Sequence, residues 1–210
     1  GSLVAGYLLL PNLGSQQTQV LLAMVNFSAG ILLFASSSYI SRLTRNGIAI
    51  FATGLLAFLF ISMPDNLLKN IFLRNSLGKK EPETLIYLDE GLTTTVAVFN
   101  DDDDNLGIKR KSLILNGVNM SASHIHSRKY MTLLSYIPLL LNENPKDVLV
   151  ICFGTGLTSG AAGVYPGINS VDAVDISPGV FNAAHFFSDE NFNAITNPKI
   201  NKIVEDGRNH

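Results

Sequence analysis

The sequence contains a single cysteine, Cys152, no tryptophan and few charged residues. One cysteine excludes a disulfide bond within the chain, and its place at the end of an apolar run predicts a buried, structural thiol. The formal net charge of −2 gives no reason to expect a nucleic-acid partner. Only 15% of the residues are charged and 47% are hydrophobic, which is too apolar for one ordinary soluble domain.

The apolar excess lies in residues 1–64, which we predict to be a transmembrane helical region. Val20 to Ser36 and Gly47 to Met63 contain no charged residue, and each is near the lower length limit for crossing a bilayer. A pair of buried core helices is the alternative. A shorter run, Leu3 to Leu10, ends at Pro11; together with the start at Gly1-Ser2 it predicts the tail of an earlier helix in a longer polypeptide.

Positive charge predicts how this region is oriented in an inner or plasma membrane. More basic residues follow the second apolar run than lie between the two runs, so we place the globular part in the cytoplasm. Residues 65–83 form a predicted connector with basic amphipathic character, suited to the surface of a lipid bilayer. The basic residues concerned are Arg42 and Arg45 between the runs, and Lys69, Arg74, Lys79 and Lys80 after them.

Residues 84–120 predict a small antiparallel β domain, because the apolar pattern becomes strand-like and is interrupted by turn residues. The acidic run Asp101 to Asp104 indicates a solvated hairpin tip in preference to a polyamine or calcium site. The predicted strands are Leu85 to Asp89, Thr93 to Asn100 and Lys109 to Asn116, with breaks at Gly91 and at Asp101 to Gly107.

Residues 121–210 predict an α/β domain of Rossmann type that is incomplete. It opens with a helix, Ser121 to Leu141, near whose start lie His124 and His126. On a helix these two side chains diverge and no third ligand is near, so no metal site is predicted. Later elements are a helix from Pro178 to Phe187 and a strand from Lys199 to Val204.

The segment from Pro145 to Asp175 is laid out like a nucleoside-binding strand, loop, helix and strand. A strand suited to burial on both faces precedes Gly154-Thr155-Gly156, where backbone approaches a ligand closely. Asp175 then ends a second strand about twenty residues later, where a βαβ nucleotide site has its ribose acceptor. The elements are the strand Lys146 to Cys152, the helix Thr158 to Gly163 and the strand Val171 to Val174. A glycine-rich turn without a ligand is the alternative.

The glycine pattern departs from the dinucleotide fingerprint. Its third glycine position is occupied by Ser159, and Gly160 follows one place later. This departure favours an adenosyl cofactor without a pyrophosphate, such as a relative of S-adenosylmethionine, over NAD.

A succession of short motifs runs along the chain: Leu88-Asp89-Glu90-Gly91, Thr94-Thr95-Val96-Ala97-Val98, Leu115-Asn116-Gly117, Tyr130, Pro138-Leu139-Leu140, Val148 to Thr158, Val174-Asp175-Ile176-Ser177-Pro178 and Asp206-Gly207-Arg208. This succession resembles the spermidine synthase family, and more closely its membrane-fused spermidine synthase-like members. The resemblance covers nearly the whole chain and implies a truncated polypeptide with a helical membrane segment, a small β meander and the first half of a methyltransferase-like Rossmann sheet.

The resemblance implies a role for each matching site residue. Gly154 and Gly156 would form the turn beneath the adenosyl moiety, and Asp175 would bind its ribose hydroxyls. Asp206 would accept from the adenine amino group, with Gly207 allowing the ring to approach. Thr155 and Ile176 complete the implied cofactor-binding set, and Tyr130 is the implied substrate-binding residue.

Several residues depart from the family pattern. The glycine turn of aminopropyltransferases carries an aspartate that holds the aminopropyl amine, whereas this chain has Gly154-Thr155-Gly156-Leu157. The family's glutamine, its Asp-Glu pair and its Tyr-His become Met120, His126-Ser127 and Tyr130-Met131. Because a dication needs anionic and other acceptors, these changes put the diamine site in doubt.

The resemblance implies transfer of an aminopropyl group from decarboxylated S-adenosylmethionine to a (poly)amine, without a metal. The general base would be an aspartate after a fourth strand, beyond His210, so the chain alone is expected to be inactive, with its first parallel strand as an exposed edge. A homo-oligomer is possible. The alternatives are a methyltransferase-like protein that uses intact S-adenosylmethionine and a non-catalytic membrane module that binds a nucleoside or polyamine.

Overall fold

The computed structural model describes residues 2–36, 41–63, 84–103 and 108–210. The chain divides into two compact units, Gly1–Phe72 and Leu73–His210. The predicted connector, residues 65–83, lies outside the described residues, and so do residues 104–107 of the acidic hairpin tip.

The described residues of the first unit form two helices, α1 (Ser2–Ser36) and α2 (Arg42–Ile61), which are long and apolar enough to cross a membrane. The break expected at Pro11 lies instead at Gly14, whose φ of 74° and ψ of 170° are not helical. Ahead of it, residues Ala5–Leu9 form a π-helical turn. The helix α2 begins five residues before the predicted Gly47, because the side chain of Ser41 caps it by accepting from the N–H of Thr44 at 3.3 Å.

The second unit opens with a four-stranded antiparallel meander in the order β1-β2-β3-β4. The strands are β1 (Thr84–Glu90), β2 (Thr95–Asp103), β3 (Ile108–Leu115) and β4 (Val118–Ala122). The strand β4 was not predicted. It follows a two-residue turn in which Asn116 and Gly117 have φ of 49° and 84°, and Asn-Gly is the pair that this hairpin turn prefers.

The helix α3 (Ile125–Leu141) starts four residues later than the predicted Ser121. Ser121 belongs to β4, and the chain turns before the helix. His124 is the N-cap residue, since its ring accepts from the N–H of Ser127.

The remaining elements form a three-stranded parallel sheet with helices, as predicted. Its order is β5-β6-β7, and the backbone N–H of Cys152 extends the β5 pairing by donating to Val174 at 2.9 Å. The last turn of the predicted helix from Pro178 to Phe187 is a 3-10 turn, Ala184–Phe187. The elements are β5 (Asp147–Ile151), α4 (Leu157–Val164), β6 (Ser170–Asp175), α5 (Pro178–Ala183) and β7 (Ile200–Val204).

One hydrophobic core joins the meander to the parallel sheet. The rings of Tyr87 in β1 and Phe186 in the 3-10 turn lie 5.5 Å apart, and Lys111 in β3 donates to the carbonyl of Phe186 at 2.6 Å. The meander is thereby held against the helical layer of the parallel sheet. Buried members of this core include Val96, Val98, Leu113, Phe153, Val171, Val180 and Phe187.

The strand β5 is not buried on both faces, which corrects the prediction for Lys146 to Cys152. Leu149 and Ile151, which lie on the same face of the strand, are 50% and 52% exposed. Among the described strands β5 pairs only with β6, so it is an edge strand, as expected. Cys152 was predicted to be a buried structural thiol and is exposed instead, with φ of 73°.

Candidate functional site

The glycine loop, residues 153–156, connects β5 to α4 through alternating left-handed residues. Cys152, Gly154 and Gly156 have φ of 73°, 58° and 81°. The N–H of Gly156 donates to the carbonyl of Phe153 at 2.9 Å and closes the turn. Glycine adopts this conformation without steric cost, whereas Cys152 occupies it with a side chain.

The glycines of this region serve different purposes. A Cβ on Gly156 would lie 2.8 Å from the ring of Phe153, and one on Gly160 would collide with the backbone carbonyl of Asn191. Nothing lies within 4 Å of a Cβ built on Gly154. Gly156 and Gly160 therefore permit close packing within the protein, and Gly154 leaves open space in which a ligand can approach the backbone.

The carboxylate of Asp175 stands beside the glycine loop in a fixed orientation. Its Oδ2 accepts from the N–H of Phe153 at 2.9 Å, and its Oδ1 accepts from the N–H of Ser177 at 3.0 Å. Each carboxylate oxygen has two lone pairs, so both retain capacity for a further donor. Asp175 is half-buried at the carboxyl end of β6, where α/β sheets bind ligands. A pair of vicinal hydroxyls is a chemically suitable ligand.

Ile176 presents an apolar surface next to this carboxylate. Its side chain is 51% exposed, whereas the following residue, Ser177, is buried. An exposed branched side chain beside a hydroxyl acceptor suits a nucleoside, because the flat base can cover the apolar surface while the ribose reaches the carboxylate.

The segment Asp206-Gly207 lies at the same edge of the parallel sheet. The N–H of Glu205 donates to the backbone carbonyl of Asp175 at 3.1 Å, which attaches the start of the segment to the end of β6. A Cβ on Gly207 would lie 2.6 Å from Cγ2 of Ile151, so only glycine allows the segment to pass this close to β5. The structure thus brings together the glycine loop, Asp175, Ile176 and Asp206-Gly207.

The carboxylate of Asp206 is ionised at neutral pH. Its Oδ1 accepts from Nε and from the backbone N–H of Arg208, each at 3.0 Å. These hydrogen bonds lower the pKa of Asp206 from 3.8 to about 2. The Arg208 side chain is 88% exposed and donates to both oxygens of Asp206, so an incoming amino group would have to replace one of these hydrogen bonds.

Thr155 is placed in the loop, but its side chain faces the protein. It is 3% exposed, and its hydroxyl lies 3.4 Å from that of Ser121 in β4. Its carbonyl accepts from the side-chain amide of Asn191 at 2.8 Å. The side chain of Thr155 can therefore contribute to a ligand site only by shaping the loop. Asn191 had no signal in the sequence, because an asparagine in a polar loop is ordinary.

Tyr130 is not brought to these residues by any hydrogen bond that the structure shows. It lies on α3 and is 59% exposed. Its neighbour Met131 makes the contact with α4, because the hydroxyl of Thr158 donates to the Met131 carbonyl at 3.1 Å. The substrate-binding role of Tyr130 stays a prediction.

His124 and His126 lie with their rings 6.0 Å apart, edge to face. His124 caps α3, and both side chains are exposed. Among the described residues, no three histidine, cysteine, aspartate or glutamate side chains are grouped to hold a metal ion.

The chain is similar in sequence and in fold to known proteins. No family model matches the sequence. A polyamine aminopropyltransferase of Methanocaldococcus jannaschii is 35% identical over 78 residues, which are 37% of this chain and 27% of that protein. The spermidine synthase of Thermotoga maritima superposes with a TM-score of 0.52 and 21% identity, over 60% of this chain and 42% of the other. Part of this chain is thus similar in sequence to a polyamine aminopropyltransferase, and its fold is similar to that of a spermidine synthase.

A second solved structure has a similar fold. A spermidine synthase in complex with the transition-state analogue AdoDATO superposes with a TM-score of 0.51 at 21% identity, again over 60% of this chain and 42% of the other. The expected fold class, a small antiparallel meander followed by part of a methyltransferase-like parallel sheet, is thus confirmed. The chain spans less than half the length of each of these proteins.

Proposed function

We propose that this chain is the cofactor-binding part of a membrane-anchored, spermidine synthase-like transferase. It would move an aminopropyl group from decarboxylated S-adenosylmethionine to a (poly)amine. The observation that carries the proposal is the placement of Asp175, which the N–H groups of Phe153 and Ser177 orient beside the open space at Gly154.

The described residues suit the adenosyl part of this co-substrate. Asp175 would accept from the two ribose hydroxyls, Ile176 would contact the base, and Asp206 would accept from its exocyclic amine. Asp206 is ionised at neutral pH and is therefore an acceptor throughout that range. Binding and orientation are the contributions expected from these residues.

In the proposed reaction the lone pair of the acceptor amine attacks the carbon next to the sulfonium. The new C–N bond forms as the C–S bond breaks, and methylthioadenosine leaves with the electron pair. The amine loses one proton to a general base. On the resemblance this base is an aspartate that follows the fourth strand, and we therefore place it after His210.

Product analysis tests this function directly. The full-length polypeptide, purified in detergent, is incubated with decarboxylated S-adenosylmethionine and putrescine, and methylthioadenosine and the extended amine are measured by mass spectrometry. Formation of both in equal amounts is expected. Their absence, with the polypeptide folded and the co-substrate bound, would contradict aminopropyl transfer.

Methyl transfer from intact S-adenosylmethionine is the second candidate, and the glycine loop favours it. The loop position that carries an aspartate in aminopropyltransferases holds Thr155, whose hydroxyl is buried against Ser121. No carboxylate is therefore offered there to the aminopropyl amine. Release of S-adenosylhomocysteine when intact S-adenosylmethionine replaces the decarboxylated form in this assay would indicate methyl transfer. Binding without any product would indicate a non-catalytic module.

We also propose that α1 and α2 anchor the protein in a membrane, with Leu73–His210 on the cytoplasmic side. In the most apolar 18-residue stretch of α1 only 6% of the residues are buried within the chain, and in that of α2 none are. These helices therefore have apolar surface for lipid to cover. Resistance of the protein to alkaline extraction from membranes is expected. Recovery in the soluble fraction would contradict the anchor.

A further inference from the structure

Asn191 is buried at the centre of a hydrogen-bonded junction behind the glycine loop. It is 0% exposed, and its amide nitrogen donates to the carbonyls of Thr155 at 2.8 Å and Ala184 at 3.0 Å. Its oxygen accepts from the N–H of Ala194 at 3.2 Å. One side chain thereby joins the loop, the 3-10 turn after α5 and its own turn.

The glycine loop is held at Thr155 from two sides. Asn191 binds the Thr155 carbonyl, and Ser121 of β4 lies against the Thr155 hydroxyl. The helix α4 is also in contact with Asn191, because Gly160 packs directly against the backbone carbonyl of Asn191.

This arrangement matters because Thr155 is flanked by Gly154 and Gly156. Glycine has more accessible backbone conformations than any other residue, so a loop with two of them would sample many shapes without a constraint. A buried hydrogen bond to the intervening carbonyl removes those alternatives, and its loss would leave that carbonyl unpaired. A loop that already has its binding shape loses less entropy when a ligand binds.

We propose that Asn191 is a positioning residue, which acts through the Thr155 carbonyl to hold the glycine loop in the shape that receives an adenosyl group. The inference rests on the proposed function, since it assigns Asn191 to the same site. Asn191 itself does not touch the ligand; it sets where the backbone of Gly154 and the N–H of Phe153 stand relative to Asp175.

The substitution Asn191→Asp tests this role through pH. It keeps the shape and the acceptor for Ala194 but removes the two N–H donors. Burial and the two facing carbonyls raise the pKa of the new carboxyl group. Only its protonated form has an O–H, which can donate to one of the two carbonyls, so recovery at low pH is expected to be partial. Affinity should therefore be lost as pH rises through that raised pKa and partly regained below it. The titratable neighbours, His185, Asp189 and Glu190, are shared with the wild type.

The measurement is the dissociation constant for decarboxylated S-adenosylmethionine at pH 5 and pH 8, on the full-length polypeptide in detergent. For Asn191→Asp we expect affinity about tenfold weaker than wild type at pH 8 and recovery toward wild type at pH 5. Asn193→Asp is the matched control, because Asn193 lies on the same turn and is exposed. It should follow the wild type at both pH values.

Equal affinities of Asn191→Asp and the wild type at both pH values would overturn the proposal, and so would an equal loss at both values in a folded variant. Should Asn191→Asp fail to fold, Asn191→Ser decides, since it removes both amide donors without adding a charge. Weaker binding by the folded variant supports the proposal, and unchanged binding overturns it.

Failure of the proposed function is recognised separately. In that case the wild type does not bind the adenosyl ligand, and hydrogen exchange at the Gly156 amide replaces binding as the readout. Faster exchange in Asn191→Asp than in Asn193→Asp at pH 8 would support the loop-holding role without the ligand, and equal exchange would overturn it.

Discussion

The backbone N–H of Phe153 donates a hydrogen bond of 2.9 Å to Oδ2 of Asp175. The two residues lie 22 positions apart, in the glycine loop and at the end of β6. The bond links the two parts of the sequence that predicted a nucleoside site. Asp175 is therefore oriented by the loop itself, and any change in the loop is expected to reach the carboxylate.

Replacement of Cys152 by glycine should stabilise the fold. The residue has φ of 73°, a conformation that costs a side-chain-bearing residue about 1 kcal/mol or more. Because glycine also increases the entropy of the unfolded chain, the net gain should be below about 1 kcal/mol. The thermal unfolding midpoint of Cys152→Gly measures it. Cys152→Ser keeps the strain and should show no gain; an equal gain in both variants would refute the backbone explanation.

Alanine at Gly154 and at Gly160 should have different effects. At Gly160 the new Cβ meets the Asn191 carbonyl, so we expect a loss of stability of about 2 kcal/mol. At Gly154 the Cβ enters open space, although φ of 58° adds strain of about 1 kcal/mol. Gly154→Ala should therefore mainly weaken ligand binding. Unfolding temperature and binding affinity are measured for both variants, and similar profiles would contradict the separate roles.

Because Asp206 is paired with Arg208, we expect its contribution to folding stability to depend on pH only in the acid range. The pKa of Asp206 is lowered to about 2 in the folded chain, compared with 3.8 ordinarily, by hydrogen bonds from Arg208. Its contribution to stability is therefore present above pH 3.8 and is lost as pH falls toward 2. Carbon NMR of the carboxyl group should show a midpoint near 2, and Arg208→Gln should raise it toward 3.8. An unchanged midpoint in that variant would exclude Arg208 as the cause.

Local sequence signals were sufficient for the elements that carry the candidate site. A short apolar run, alternate glycines and a second run ending in a carboxylate predicted β5, the glycine loop, β6 and Asp175, because each of these depends on neighbouring residues. The parallel register then places Ile151 opposite Val174, so both strands end at the same edge.

The features that were missed depend on distant parts of the chain. Cys152 ends an apolar run, but it lies after β5 with φ of 73° and is exposed, and the sequence gives no sign of that backbone conformation. The strand β4 is short, although the Asn116-Gly117 pair was a usable hairpin signal. Asn191 is identified only in three dimensions, because its partners Thr155 and Ala184 lie 36 and 7 residues away.

The central claim is that Asp175 binds the ribose of an adenosyl sulfonium co-substrate, and equilibrium binding tests it most directly. Decarboxylated and intact S-adenosylmethionine are titrated into the full-length polypeptide and into Asp175→Asn. The control is Asp172→Asn, on the same strand, where Asp172 accepts only from Asn201 at 2.8 Å among the hydrogen bonds shown. We predict tighter binding of the decarboxylated form, a loss of about tenfold or more in Asp175→Asn and little change in the control. Binding that is unaffected by Asp175→Asn, or no saturable binding of either form to the wild type, would contradict the account.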